Sequence, residues 1–184
     1  PQMTIRREEL KTPDGGTIAL DWQVVESSDE MPILFIAPGL TGSSDSTYVR
    51  HAMAAAQEIG FQPVVLIYRG LVGLKLATPL GYSAGATGDI AFAVEHVHRL
   101  HPRAPMYALG YSVGSNILVK YLGEQGANTC FRGALSIGNP FDLVSSSATL
   151  GSNPFYSYFL CKLLRRYYET HRQMFRTLPH FQVH

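Results

Sequence analysis

The segment MYALGYSVGSNIL, residues 106–118, joins an apolar run to a helical pattern through a G-x-S-x-G turn centred on Ser112. Strand, sharp turn and helix in this order are the setting of a nucleophile elbow. A Cβ at Gly110 or Gly114 would crowd the crossing of the strand and the helix. We therefore predict that Ser112 is the nucleophile, with the Val113 N–H as one oxyanion donor. The alternative is a glycine-flanked turn that serves packing alone.

The segments around this turn alternate between strand and helix patterns. Continuous apolar runs predict buried strands at 33–37, 63–68, 106–111 and 133–137. Helical periodicity predicts helices at 48–59, 87–100 and 113–123. Apolar and polar residues alternate over 17–24, which predicts a half-buried strand behind a hairpin turn. This order indicates an α/β fold with a mostly parallel sheet, whose ligands bind beyond the carboxyl ends of the strands.

Length and composition narrow the class of protein. A chain of 184 residues fits one domain, and we treat residues 1–184 as a single domain. The net charge of +1 gives no electrostatic case for binding nucleic acid. Cys130 and Cys161 form no C-x-x-C pair and are expected to be reduced, buried thiols. No zinc-ligand spacing, phosphate loop or dinucleotide fingerprint occurs, so we expect neither a metal nor an organic cofactor.

The hydropathy pattern gives an expectation about the cellular compartment of the protein. No apolar run approaches the roughly 20 residues of a membrane span. The start also lacks the apolar core of a signal peptide, which favours a soluble intracellular chain. The first residue is Pro1 rather than Met, so an upstream anchor in a longer parent protein stays open.

A second oxyanion donor is expected in the loop after an earlier strand. The residues 38–42, Pro-Gly-Leu-Thr-Gly, follow the apolar run at 33–37 and so lie at the same edge of the sheet as Ser112. Gly39 lets the chain turn in closely, and we therefore predict the Leu40 backbone N–H as this donor. The alternative is an ordinary glycine turn.

The acid and the base of a catalytic triad are harder to find. In this type of fold the order along the chain is serine, acid, histidine. Asp142 is the one aspartate after Ser112, and only His171, His180 and His184 obey the order. None of these histidines follows a predicted strand, so we assign no base. Asp142 is a triad acid, a cap of the Ser145 region or part of a solvated turn.

The last segment has a helical pattern of its own. Asn153 can cap a helix that has Pro154 at its first position. Polar, mostly basic residues recur at spacings of three and four, so residues 153–176 are predicted to form a long amphipathic helix. We interpret it as a lid-like packed or surface element, with peripheral membrane contact as the alternative, because aromatic and basic residues occur together.

Several motifs occur together across most of the chain: Thr12-Pro13-Asp14-Gly15-Gly16, Leu20-Asp21-Trp22, Pro38-Gly39-Leu40-Thr41-Gly42-Ser43, Tyr48-Val49-Arg50-His51, Gly110-Tyr111-Ser112-Val113-Gly114, Asn116-Ile117-Leu118-Val119-Lys120-Tyr121-Leu122-Gly123-Glu124 and Asn139-Pro140-Phe141-Asp142-Leu143. They resemble the AB hydrolase superfamily, type 4 family, and within it the plant embryogenesis-associated hydrolase-like proteins. The resemblance implies an α/β-hydrolase fold and serine esterase or lipase-like activity on carboxylic, often lipid, esters. It carries over Ser112 as the nucleophile and Leu40 and Val113 as oxyanion donors.

The chain also departs from the pattern of this family. Relatives carry a polar residue where this chain has Ile67. The family's acid and histidine lie in a C-terminal part without a counterpart here, which implies that the chain is truncated and its last strands are missing. We then expect an open sheet edge, triad partners beyond residue 184, and a chain that is weak or inactive alone.

Two other functions stay open at this point. One is a truncated, non-catalytic isoform that uses the hydrolase scaffold to bind a partner or lipid. The other is acyl transfer to an alcohol instead of water, which would use the same Ser112. In the family, animal relatives are often anchored to membranes by an N-terminal segment, so a membrane-associated parent protein is compatible with the sequence.

Overall fold

A computed structural model describes residues 3–25 and 28–178 of the chain. The strands are β1 (Ile5–Lys11), β2 (Thr17–Gln23), β3 (Ile33–Ala37), β4 (Gln62–Ile67), β5 (Met106–Tyr111) and β6 (Phe131–Ile137). The α-helices are α1 (Thr47–Glu58), α2 (Gly88–Leu100), α3 (Val113–Gln125), α4 (Leu143–Gly151) and α5 (Pro154–Phe175). A 3-10 turn, Gly126–Asn128, joins α3 to β6. None of the helices in this part of the chain has the length and apolar character needed to cross a membrane.

The strands form one sheet in the order β1-β2-β4-β3-β5-β6. β2 runs antiparallel to β1 and β4, whereas β4, β3, β5 and β6 are parallel to one another. The predicted α/β fold with a mostly parallel sheet is therefore confirmed. The register pairs Ala37 with Gly110, so the loops after β3 and β5 leave the sheet side by side. β6 forms one edge, and no strand within the described ranges pairs with its outer side.

The burial of β2 differs from the sequence prediction. All seven of its residues are buried, so the prediction of a half-buried strand is wrong. The polar positions that indicated a solvent-facing side include Asp21, which is 0% exposed and accepts two hydrogen bonds from Arg7. The Ser44 hydroxyl donates a third, at 2.5 Å. A buried charge is tolerated where such partners satisfy it, and an alternating pattern alone cannot reveal those partners.

Two further features of the fold differ from expectation. The helix α4 was not predicted, and the Asp142 side chain caps its start by accepting hydrogen bonds from Val144 N and Ser145 N. Both cysteines are free thiols, but Cys161 is exposed and Cys130 is only partly buried. The prediction of two buried thiols is therefore wrong. Cys161 lies on α5, a helix with no fully buried residue.

Candidate active site

Ser112 occupies a strained turn between β5 and α3. Its backbone has φ 51° and ψ −121°, a conformation that non-glycine residues rarely adopt. The Ser112 N–H donates to Ile137 O of β6 at 2.8 Å, and Asn116 N–H donates to Ser112 O at 3.1 Å. Strain of this kind persists only where neighbouring structure holds it, and it concentrates at functional sites.

The flanking glycines allow the helix to leave the strand at close range. A Cβ on Gly110 would lie 2.5 Å from the Cα of Ser115. A Cβ on Gly114 would overlap the carbonyl oxygens of Ala37 and Pro38. Both clashes are with backbone atoms, which cannot rotate away. The predicted crowding at the strand–helix crossing is thus present, and it brings the end of β3 against the start of α3.

Among residues 38–42, one backbone N–H has no partner in the described part of the chain. The Gly39 N–H donates to the Tyr48 hydroxyl and the Thr41 N–H donates to the Tyr82 hydroxyl, each at 3.1 Å. The Gly42 N–H donates to Gly39 O at 2.9 Å. Within the described part of the chain, the Leu40 N–H takes part in no hydrogen bond. It is therefore available to a ligand.

This loop approaches the serine closely. A Cβ on Gly39 would lie 3.3 Å from the Cβ of Ser112. Leu40, Ser112 and Val113 line the same cavity, which has a volume of about 840 Å³. The structure therefore brings the three residues predicted from the sequence together. Two backbone N–H groups directed at the oxygen of a tetrahedral intermediate would stabilise its charge, and those of Leu40 and Val113 are the candidates for this role.

Sequence reasoning missed the network that holds this loop. The buried Ser44, just beyond the loop, is hydrogen-bonded to Asp21 of β2. Asp21 is paired in turn with Arg7 of β1, whose Nη1 also donates to Val72 O at 2.7 Å. Asp21 belongs to the Leu20-Asp21-Trp22 motif noted in the sequence. That motif was the sequence signal for this network, but the residues that contact Asp21 are distant from it in the chain.

The structure gives Asp142 a role at the start of a helix. Its carboxylate accepts hydrogen bonds from Val144 N at 2.9 Å, Ser145 N at 3.0 Å and Ser145 Oγ at 2.6 Å. These hydrogen bonds, those from Ser145 first, hold the pKa of Asp142 below its usual range. Of the interpretations of Asp142 left open by the sequence, the cap is the one that these contacts support.

No histidine in the described part of the chain is hydrogen-bonded to Ser112. His171 lies on α5, where its Nε2 is 2.6 Å from Gly70 O, so this nitrogen is already engaged. His96 Nε2 is 2.9 Å from a Glu8 carboxylate oxygen. His180 and His184, which also obey the expected order, lie outside the described residues.

The helix α5 runs over the elbow. Its residues Phe159, Leu160 and Leu163 line a second cavity of about 370 Å³ that also reaches Ser112. Further along α5, the Tyr167 hydroxyl donates to Arg69 O at 3.1 Å. Burial raises the pKa of Tyr167 to about 12, so this hydroxyl stays protonated and can donate near neutral pH.

A cluster of charged side chains lies at Arg69, in the loop after β4 that α5 contacts. The Arg69 guanidinium is hydrogen-bonded to Asp14 and Asp89, and its side chain is only 7% exposed. The hydrogen bonds that Arg69 donates to Asp89 raise the pKa of Arg69, and the bond that Arg69 donates to Asp14 lowers the pKa of Asp14 well below its usual range. The cluster joins the β1–β2 turn, the end of β4 and the start of α2.

Curated relatives align with nearly the whole chain. The embryogenesis-associated protein EMB8 of Picea glauca is 38% identical over 188 residues, covering 95% of this chain and 41% of its own length. Phospholipase ABHD3 of Homo sapiens is 34% identical over 185 residues, covering 95% and 45%. The monoacylglycerol lipase of Saccharomyces cerevisiae is 36% identical over 185 residues, covering 96% and 39%. The chain thus spans about two fifths of the length of these relatives.

Solved structures agree with the fold. The esterase Pf2001 of Pyrococcus furiosus superposes with a TM-score of 0.66 at 16% identity, covering 88% of this chain and 63% of that one. Brefeldin A esterase gives a TM-score of 0.55 at 18% identity, covering 74% and 40%. No protein-family model matches the chain. On the strength of the sequence relatives and this fold, the chain belongs to the α/β-hydrolase superfamily, as its motifs indicated.

Proposed function

We propose that this protein is a serine hydrolase of carboxylic esters, with lipid esters as the substrate class and Ser112 as the nucleophile. The observation that carries the proposal is the Leu40 N–H, which has no partner among residues 3–25 and 28–178 and shares one cavity with Ser112 and Val113. The names of two relatives, phospholipase and monoacylglycerol lipase, support esters of lipids as the substrate class. No metal or organic cofactor enters this chemistry.

The proposed reaction has two steps through an acyl-enzyme. Ser112 Oγ forms a bond to the carbonyl carbon, and the carbonyl oxygen takes up negative charge beside the Leu40 and Val113 N–H groups. When this intermediate collapses, the carbon–oxygen bond to the alcohol breaks, and the alcohol leaves with a proton. Water then adds to the acyl carbon and releases the acid and Ser112. An alcohol in place of water would give acyl transfer instead.

The proton of Ser112 needs an acceptor, and the resemblance places the family's acid and histidine in its C-terminal part. Within residues 3–25 and 28–178 no acid–histidine pair is hydrogen-bonded to Ser112. That observation favours a second candidate, a non-catalytic interaction protein on the hydrolase scaffold. The two candidates differ in whether Ser112 is reactive.

A fluorophosphonate probe tests the reactivity of Ser112 directly. We expect the folded chain to be labelled slowly, because no acid–histidine pair among the described residues assists Ser112, and the Ser112→Ala variant to be unlabelled. Ser152→Ala is the matched control, since this exposed serine at the end of α4 lies outside the site, and it should keep the wild-type labelling. Circular dichroism must show that each variant is folded. A folded wild-type chain that resists labelling, or labelling that persists in Ser112→Ala, would contradict the nucleophile and favour the interaction protein.

We also propose that α5 makes peripheral contact with a lipid surface. Its outer stripe begins with the aromatic residues Phe155 and Tyr158, which are 76% and 70% exposed. The same stripe continues at helical spacing with Lys162, Arg165 and Arg166, all exposed. Aromatic rings beside basic side chains are typical of helices that lie in the interface of anionic membranes. Such contact would bring the mouth of the site to its lipid substrate.

Vesicle sedimentation tests this contact. We expect the chain to bind vesicles that contain phosphatidylserine more strongly than pure phosphatidylcholine vesicles. The double variant Phe155→Ser/Tyr158→Ser should lose most of this binding. Ile59→Ser is the control, because Ile59 is 72% exposed but follows α1, outside the α5 stripe. Equal binding by both variants, or no binding by the wild type, would contradict the membrane contact.

A further inference from the structure

We propose that Ser115 and Ser136 are positioning residues for Ser112. Ser115 lies in the first turn of α3 and Ser136 lies near the end of β6, and their hydroxyl oxygens are 2.5 Å apart. This hydrogen bond holds the turn at Ser112 in its strained conformation. The inference rests on the proposed function and deepens it, because it names residues outside the reacting atoms on which the reactivity of Ser112 depends.

The strand β6 holds the entry to the turn and its apex through backbone contacts. In the parallel register of β5 and β6, Tyr111 lies beside Ile137. The contact continues past the end of β5, since the Ser112 N–H donates to Ile137 O at 2.8 Å. The position of Ser112 is therefore tied to the last residue of β6.

Side chains hold the exit from the turn. Ser115 is 0% exposed, and its hydroxyl reaches from α3 to Ser136 of β6. A buried hydroxyl is costly unless it is hydrogen-bonded, and Ser136 supplies a partner. Ser136 directly precedes Ile137 in the chain. Neighbouring residues of β6 thus hold the apex of the turn and the start of the helix, three residues later.

A second contact fixes the Ser136 side chain. Asn139 Nδ2 donates a hydrogen bond to Ser136 Oγ at 3.2 Å. The chain can turn back to make this contact because Gly138 has φ +60°, a conformation that favours glycine. With partners on two sides, the Ser136 hydroxyl is restricted to the rotamer that contacts Ser115.

The strain at Ser112 explains why its reactivity depends on this hydrogen bond. With φ 51°, Ser112 has a conformation that non-glycine residues keep only where surrounding structure imposes it. Without the bond between Ser115 and Ser136, the start of α3 can move away from β6 and the backbone of Ser112 can relax. Such a movement displaces the nucleophile and the Val113 N–H together. We therefore expect slower bond formation at Ser112, with the binding of the ester unchanged.

Two variants of matched shape remove or keep the hydroxyl of Ser136. Ser136→Thr keeps the hydroxyl, and Ser136→Val replaces it with a methyl group in a side chain of nearly the same shape. The residue is exposed, and both threonine and valine are favoured in strands, so we expect both variants to fold. Circular dichroism checks this before any comparison.

Amide hydrogen exchange measured by NMR reports on the turn without requiring any reaction. We expect the Ser112 N–H to exchange about tenfold faster in Ser136→Val than in Ser136→Thr, because its bond to Ile137 O opens more often. The Val94 N–H, inside α2, is the control and should exchange alike in both variants. Equal exchange rates of Ser112 in the two variants would overturn the proposal. Equal acceleration of both amides would also overturn it, because it would show only a general loss of stability.

Labelling kinetics test the consequence for reactivity. We expect Ser136→Val to lower the maximal rate of fluorophosphonate labelling about tenfold relative to Ser136→Thr, with the probe concentration for the half-maximal rate unchanged. Ser115→Ala should have the same effect. The double variant Ser115→Ala/Ser136→Val should be no slower than either single variant, because the two hydroxyls act as one pair. Losses that multiply in the double variant, or a higher half-maximal concentration with an unchanged maximal rate, would overturn the proposal.

The two measurements separate this inference from the proposed function. If no probe labels the wild type but the Ser112 amide responds to the loss of the Ser136 hydroxyl, the positioning role stands and the hydrolase proposal fails. If the wild type is labelled but Ser136→Val matches Ser136→Thr in both amide exchange and labelling rate, the positioning role is overturned and the hydrolase proposal stands.

Discussion

The Tyr48 hydroxyl accepts a hydrogen bond from the Gly39 N–H at 3.1 Å, which fixes one side of the loop beside the candidate nucleophile. On the other side, the Tyr82 hydroxyl accepts from the Thr41 N–H at the same distance. The N–H between them, that of Leu40, is left without a partner among the described residues. Two tyrosines therefore hold the loop and leave one donor for a ligand.

The double variant Tyr48→Phe/Tyr82→Phe should loosen this loop, because it removes both hydroxyl groups and keeps both aromatic rings. Each lost hydrogen bond costs about 1 kcal/mol of unfolding free energy. The Leu40 donor would no longer be held at its distance from Ser112, so we expect fluorophosphonate labelling to slow about tenfold. Stopped-time labelling followed on gels measures the rate. The control is Tyr158→Phe, which removes an exposed hydroxyl of α5. Equal labelling rates for both variants would argue against an anchored oxyanion loop.

Gly114 and Gly123 lie on the same helix and offer a matched pair of alanine substitutions. A Cβ at Gly114 would overlap the carbonyl oxygens of Ala37 and Pro38, whereas a Cβ at Gly123 meets nothing within 4 Å. We expect Gly114→Ala to lower the unfolding free energy by about 3 kcal/mol through overpacking. Gly123→Ala should raise it by about 1 kcal/mol, because alanine favours helix interiors. Urea unfolding measures both. A neutral Gly114→Ala would mean that the crossing is looser than its geometry indicates.

The parts of the fold that the sequence predicted are those with local signals. The apolar runs of the parallel strands, the helical periodicity and the glycines around Ser112 each depend on residues close together in the chain. The burial of β2 could not be predicted in this way, because Asp21 is satisfied by Arg7 and Ser44, which approach it only in the folded state. The helix α4 was missed because its nine residues include three consecutive serines and follow a strand end, where Asp142 was weighed as a triad acid.

The features of the candidate site also divide into those with local sequence signals and those that depend on distant contacts. Ser112, Leu40 and Val113 were predicted as site residues from two glycine-rich turns, and they line one cavity because parallel strands bring such turns to one edge of the sheet. The role of α5 in lining the cavities at Ser112 could not be predicted from its amphipathic pattern, which left a lid-like element and a surface element both open. That role depends on how Tyr167 and His171 dock on residues 69–70, about a hundred positions earlier in the chain.

Arg69 should be important for stability. Its side chain is 7% exposed and holds Asp14 and Asp89, so Arg69→Met would leave two carboxylates without their cation. We expect the unfolding free energy to fall by about 3 kcal/mol. Arg103→Met removes an arginine from an exposed pair with Asp29 and should change it by less than about 1 kcal/mol. Equal effects of the two substitutions in denaturant unfolding would show that the Arg69 cluster contributes no more than a surface pair.

The same cluster predicts how stability changes in acid. The hydrogen bond from Arg69, followed by that from Thr12, holds the folded-state pKa of Asp14 well below its usual range. In the unfolded chain this carboxyl titrates near its ordinary value of about 3.9. Between these two pKa values the unfolded state binds a proton that the folded state does not. Asp14 therefore stabilises the fold above about pH 4, and this contribution is lost as the pH falls toward its folded-state pKa.

The Asp14→Asn variant isolates this contribution. We expect it to be less stable than the wild type at pH 7, and the two unfolding free energies should converge as the pH falls from about 5 to 2. Asp29→Asn, in the exposed pair with Arg103, should stay within about 0.5 kcal/mol of the wild type at pH 7. Urea unfolding at a series of pH values gives the curves. Parallel curves for the wild type and Asp14→Asn would mean that Asp14 has the same pKa in the folded and unfolded chain. Arg69 would then not lower the pKa of Asp14.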